Sequence, residues 1–118
     1  HGDLEKAGVY FGGDTVPTAD TVQYFNEYAM QLRKRQRYAE SEAIYKRCIN
    51  VSPECFALHY NLGILYELMN RPDPACRAMI KALRLCPDHQ SAQAHLAKLS
   101  SRIGQTAVLK ETLQFEEN

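Results

Sequence analysis

Apolar positions over residues 56–69 recur at spacings of three and four: Phe56, Tyr60, Leu62, Gly63, Tyr66 and Met69. That period belongs to a helix with one buried face, and no proline interrupts it. Asn70-Arg71-Pro72-Asp73-Pro74 then breaks the pattern. Asn tolerates the left-handed conformation that ends helices, and Asp73 is placed to cap a following helix with Pro74 as its first residue. Ala75, Ala78, Met79, Ala82, Leu83 and Leu85 predict that second helix over 74–86, closed by Pro87. The preceding stretch has the same plan. Asp20 and Gln23 resemble a capping box. A helix follows to about Lys34, then a polar turn at Arg35-Gln36-Arg37. A second helix is expected over 38–50, with Ala39, Ala43, Ile44, Cys48 and Ile49 on its apolar side, and Ser52-Pro53 ends it. The third unit starts near Asp88, is expected to turn at Gly104, and ends in a helix reaching about Phe115.

These units are copies of one another. Pro53 and Pro87 stand 34 residues apart, and the same shift aligns Phe25 with His59 and Gln93, and Tyr28 with Leu62 and Leu96. It also aligns Ala29 with Gly63 and Ala97, Ser41 with Ala75, Tyr45 with Met79, and Gln36 with Asn70 and Gly104. A fixed period of this size is the mark of a stacked helical repeat. The small residues at 29, 63, 97, 41 and 75 suit helix crossings, since a missing side chain lets axes approach to about 8 Å instead of about 10 Å.

The middle unit resembles the tetratricopeptide repeat, whose pattern is W-x2-L-G-x2-Y…A-x3-F…P. Leu62-Gly63, Tyr66, Ala75 and Pro87 fit it, with Met79 in place of the second aromatic and His59 in place of Trp. The first unit fits more loosely through Phe25, Ala29, Leu32, Ser41, Tyr45 and Pro53. The third keeps Leu96-Ala97 but departs at Gln93, Ser100 and Leu109. The resemblance covers about residues 20–116. It implies an all-α fold, a right-handed α-solenoid of about three helix-turn-helix repeats over 22–55, 56–89 and 90–118, the last a degenerate cap. Residues 1–19 lie outside the pattern as an irregular segment, whose Val9, Tyr10 and Phe11 are expected to pack on the solenoid.

The resemblance also implies a function: a protein-interaction adaptor or scaffold that holds a partner protein or peptide in a concave groove lined by the first helix of each repeat. The first unit would contribute Gln23, Asn26, Met30, Arg33 and Lys34. The second would contribute Ala57, Tyr60, Asn61, Ile64 and Leu68, and the third Ser91, Ala94, His95, Lys98 and Arg102. Met30, Tyr60, Ile64 and Leu68 form an apolar strip flanked by cations, which suits a ligand with apolar anchors and acidic flanks. Arg33, Lys34, Arg35 and Arg37 read equally as a solvated helix end, where cations complement the helix dipole. Some members of the family clamp the C-terminal carboxylate of Hsp70 or Hsp90. Of that clamp's residues only Asn61 is matched, and Asn26, Met30, Ser91 and His95 fill the other slots, so no chaperone tail is expected. An RNA-binding or regulatory helical repeat, and a self-associating scaffold, stay open as alternatives.

Charge and chemistry narrow this further. Lys plus Arg equals Asp plus Glu at 14 each, so bulk charge does not favour nucleic acid, although charge can still segregate onto one face. Hydrophobic residues make up 45% of the chain, as in folded domains. Cys48, Cys55, Cys76 and Cys86 are scattered rather than framed, and read as reduced thiols of an intracellular protein, cytoplasmic sooner than nuclear. No stretch is apolar enough for a membrane span. No Cys-x-x-Cys and no His-Glu-x-x-His occurs, so Cys48, Cys55, His59, His89 and His95 point to neither metal, cofactor nor catalysis. Beginning at His1-Gly2 without Met, the chain reads as a piece of a longer protein.

Overall fold

A computed structural model of the chain describes residues 16–117, with their side chains as far as residue 104. Five helices follow one another: α1 (Val22–Lys34), α2 (Tyr38–Val51), α3 (Phe56–Leu68), α4 (Pro72–Leu85) and α5 (Gln90–Glu117). Each packs on the next in sequence, and α1 also touches α3. The described residues form an all-α solenoid of helical repeats. Residues 1–15, including Val9, Tyr10 and Phe11, lie outside the described residues.

The α1–α2 and α3–α4 turns are built alike. Gln36 and Asn70 take positive φ, 63° and 57°. Around them the Arg37 amide donates to Leu32 O and the Arg71 amide to Tyr66 O, both at 2.9 Å. The Gln36 and Asn70 amides reach Arg33 O and Glu67 O at 2.9 and 3.0 Å. Both turns are therefore Schellman motifs, which satisfy carbonyls that a helix end would otherwise leave bare.

The core is the 34-residue pattern made solid. Phe25, Ala29 and Leu32 of α1 meet Ser41, Ile44, Tyr45 and Cys48 of α2. Leu58, Leu62, Leu65 and Tyr66 of α3 meet Ala75, Ala78 and Met79 of α4. Ala92 and Leu99 of α5 close the stack. Each large side chain fully buried here contributes about 1.5–3 kcal/mol. At the crossing slots Ser41 Oγ donates to Ala29 O at 2.7 Å, and a Cβ on Gly63 would stand 2.8 Å from Met79 Cε.

Four local expectations need correction. The α1 entry is not an Asp20–Gln23 capping box. The Thr18 amide donates to Thr21 Oγ1 at 2.8 Å, and the Thr21 and Val22 amides donate to Thr18 O. The α4 helix begins at Pro72, with Arg71 before it. Proline at the first position loses no intrahelical bond, and Asp73 then sits in the first turn, where the dipole favours it. On α2, Ala39 and Ala43 are exposed, and Ser41 and Tyr45 take the inner positions. Finally, the chain does not turn at Gly104, because α5 runs through it to Glu117. A lone Gly costs a helix about 1 kcal/mol relative to Ala, too little to end one when no Asn-Arg-Pro follows. With no return helix against it among the described residues, Ala97 is exposed where Ala29 and Gly63 are buried.

Candidate partner-binding groove

The first helices of the repeats, α1, α3 and α5, lie side by side and are stitched by polar and aromatic contacts. Asn61 Nδ2 donates to Asn26 Oδ1 at 3.1 Å, joining α3 to α1. Tyr60 stacks on Phe56 with ring centroids 5.5 Å apart, and its ring meets those of His89 at 5.2 Å and His95 at 5.9 Å. His95 Nδ1 lies 2.7 Å from Glu67 Oε2, and Arg102 donates to Asn70 Oδ1 at 2.8 Å. His89 caps α5, its Nδ1 accepting the Ala92 amide at 3.2 Å, while its ring packs 4.5 Å from Phe56.

The expected groove residues divide accordingly. Asn26 is 7% exposed and turns its amide to Asn61, so this pair holds α1 and α3 together. Arg102 is engaged with Asn70. Arg33 is half-buried, with one Nη1 shut from solvent and lacking a hydrogen-bond partner among the described residues. Met30, Tyr60 and Ile64 rest their inner edges on the core and keep outer edges in solvent. Leu68 is 53% exposed. Lys98 is exposed and borders a cleft of about 140 Å³ with Ala94 and His95. Tyr60, Ile64, Leu68 and Lys98 thus keep surface for a ligand, while Asn26, Asn61 and Arg102 spend theirs within the fold.

Sequence reasoning missed Phe56, Glu67 and His89 as parts of this face. The His89 signal was its place just before the helix beginning at Gln90, where a side-chain acceptor can meet a free amide.

The groups that suggested chemistry are occupied structurally. Burial pushes the Cys48 thiol up to about 12, which keeps it protonated. His59 Nε2 lies 2.7 Å from Pro53 O, and one repeat later Gln93 Nε2 donates to Pro87 O at 2.7 Å. The slot that the family fills with Trp here holds a donor for the proline carbonyl ending the previous repeat. Among the described residues no group of three or more His, Cys, Asp or Glu is gathered for a metal. No helix among them is long and apolar enough to cross a membrane.

Comparison with known proteins agrees with this architecture. Residues 56–89 match the tetratricopeptide repeat model. Over 74 residues, 63% of the chain, it is 32% identical to the TPR repeat-containing thioredoxin TTL4 of Arabidopsis thaliana. Over 98% of its length it is 25% identical to the inactive TPR repeat-containing thioredoxin TTL3 of the same plant. The chain spans only 11% and 17% of those two proteins. Among solved structures, MamA MSR-1 C2 shares the fold with a TM-score of 0.67 at 18% identity, over 86% of this chain and 54% of that one. Paired helices joined by matching turns, small residues at their crossings and prolines 34 apart agree with the matched repeat: residues 56–89 are a tetratricopeptide repeat, set in a helical-repeat solenoid of the same design.

Proposed function

We propose that this chain is a protein-interaction module, a holder rather than a catalyst, which receives a segment of a partner protein along the face of α1, α3 and α5. The observation that carries the reading is Leu68, 53% exposed at the end of a line through Ile64 and Tyr60 on α3. Apolar side chains of the partner would seat on Met30, Tyr60, Ile64 and Leu68, and acidic ones would meet Lys98 and Arg33. The thioredoxin part of the plant relatives' names does not carry over, because no Cys-x-x-Cys pair occurs in this chain.

Selection from a random peptide library tests the reading. Selected peptides should combine apolar anchors with Asp or Glu. Their affinity should fall at least about tenfold on Tyr60→Ala with Ile64→Ala, since truncating a central interface side chain typically costs more than 1 kcal/mol. Peptides that bind the double variant as tightly as the unaltered chain would refute it.

A further inference from the structure

On the opposite face, α2 and α4 leave a trough between them with α3 as its floor. Its wider part, of about 410 Å³, has Ile49 and Leu62 below and Lys46, Arg77 and Lys81 at its sides. A second cleft of about 320 Å³ shares Ile49 and Lys81 and extends to Arg84 and Leu85. Four cations line this trough, and no Asp or Glu lines either part. Lys46 is neutralised by Glu42 at 3.0 Å, but Arg77, Lys81 and Arg84 form no ion pair among the described residues. In a chain with zero net charge, this is a segregated positive face over an apolar floor.

That combination selects a ligand. Single-stranded nucleic acid would want exposed rings on which to stack bases. The only rings here belong to Tyr66 and His59, 6% and 5% exposed, with Tyr66 OH bound to Glu42 and His59 Nε2 at Pro53 O. The two joined clefts are elongated, as an extended chain requires, and unpaired cations beside apolar carbon match carboxylates beside an apolar side chain. We propose that this trough docks an acidic peptide segment of a partner protein. One apolar residue would sit on Ile49, Leu62 and Leu85, with carboxylates on Arg77, Lys81 and Arg84. It is a second surface, separate from the groove proposed above.

The probe is a fluorescent peptide in which Glu and Asp flank a Leu-Phe pair, tested beside its Gln/Asn counterpart and a thymidine oligonucleotide. The acidic peptide should bind, and more weakly as salt rises. Arg77→Glu with Lys81→Glu should raise its Kd at least about tenfold, and Arg77→Gln with Lys81→Gln serves if the reversal misfolds. All of these measurements are made on the chain that already carries Tyr60→Ala and Ile64→Ala, so that the groove, whose proposed ligand shares apolar anchors and acids, does not contribute to the signal. No binding, equal binding to the charge variants, or equal binding of the Gln/Asn peptide overturns it. So does binding of the oligonucleotide in place of the peptide.

Discussion

A methyl group added at Gly63 would stand 2.8 Å from Cε and 3.2 Å from Cγ of Met79, a side chain with no exposed surface. The same methyl at Gly104 would meet nothing within 4 Å. Both glycines lie inside helices, where Ala is better by about 0.5–1 kcal/mol. At Gly63 that gain is outweighed, since overpacking a filled core costs about 1–3 kcal/mol. Gly63→Ala should therefore lower stability by roughly 1 kcal/mol and couple to Met79→Ala in a double-mutant cycle, whereas Gly104→Ala should raise it. Denaturant titration reads both, and the same sign at the two sites would contradict the packing described. The small-residue slots were legible in the sequence because Ala29 and Gly63, and likewise Ser41 and Ala75, stand 34 residues apart. The hydrogen bonds of His59 and Gln93 to Pro53 O and Pro87 O were not. A repeat pattern says that a position faces inward, and leaves open which polar atom waits there.

Helix boundaries depend on a few turn residues, and here the two turns carry unequal strain. Gln36 holds φ at 63°, where its Cβ crowds the backbone by roughly 1–2 kcal/mol. Asn70 holds φ at 57°, but Asn enters that region more easily, and its Oδ1 accepts a bond from Arg102. Gln36→Gly should consequently raise the melting temperature by a few degrees, while Asn70→Gly should leave it unchanged or lower it. Equal gains would mean that the Asn70–Arg102 bond contributes nothing. Helices α1 to α4 were readable within about two residues, because apolar period and turn chemistry agreed. The error at Gly104 has a physical cause. A 34-residue shift pointed to a turn, but Gly supplies only permission for one. The Schellman turns at Gln36 and Asn70 are each followed by a helix that buries an inward face on its partner. After Gly104 the helix simply continues. On the outer face the sequence reading passed over Arg77, Lys81 and Arg84, because a helical spacing of four and three marks only a solvated face until the fold sets them beside a trough over Ile49.

A solenoid is held together by what passes between neighbouring repeats, since each repeat contacts only the next. Glu42 is the polar knot of that interface. From α2 its carboxylate receives the Tyr66 hydroxyl of α3 at 2.7 Å, pairs with Lys46 at 3.0 Å, and lies 3.6 Å from Arg71, which itself sits 5.0 Å over the Tyr66 ring. Burial alone would raise this carboxyl. The Tyr66 and Lys46 hydrogen bonds and the charges of Lys46 and Arg71 outweigh it and hold Glu42 below its ordinary value of 4.5. Tyr66 moves the other way, raised by burial and then by Glu42, so its hydroxyl stays a donor at neutral pH. A carboxyl depressed in the folded state contributes stability above its unfolded value and loses that contribution as pH falls through the folded one. Glu42→Gln should therefore destabilise the protein near pH 7 by roughly 1 kcal/mol, the scale of partly screened charge-assisted bonds. Melting temperatures measured from neutral pH downward should show the gap between variant and unaltered chain closing below about 4.5. A gap that stays constant across that range would mean that the charge of Glu42 contributes nothing to the joint between the two repeats.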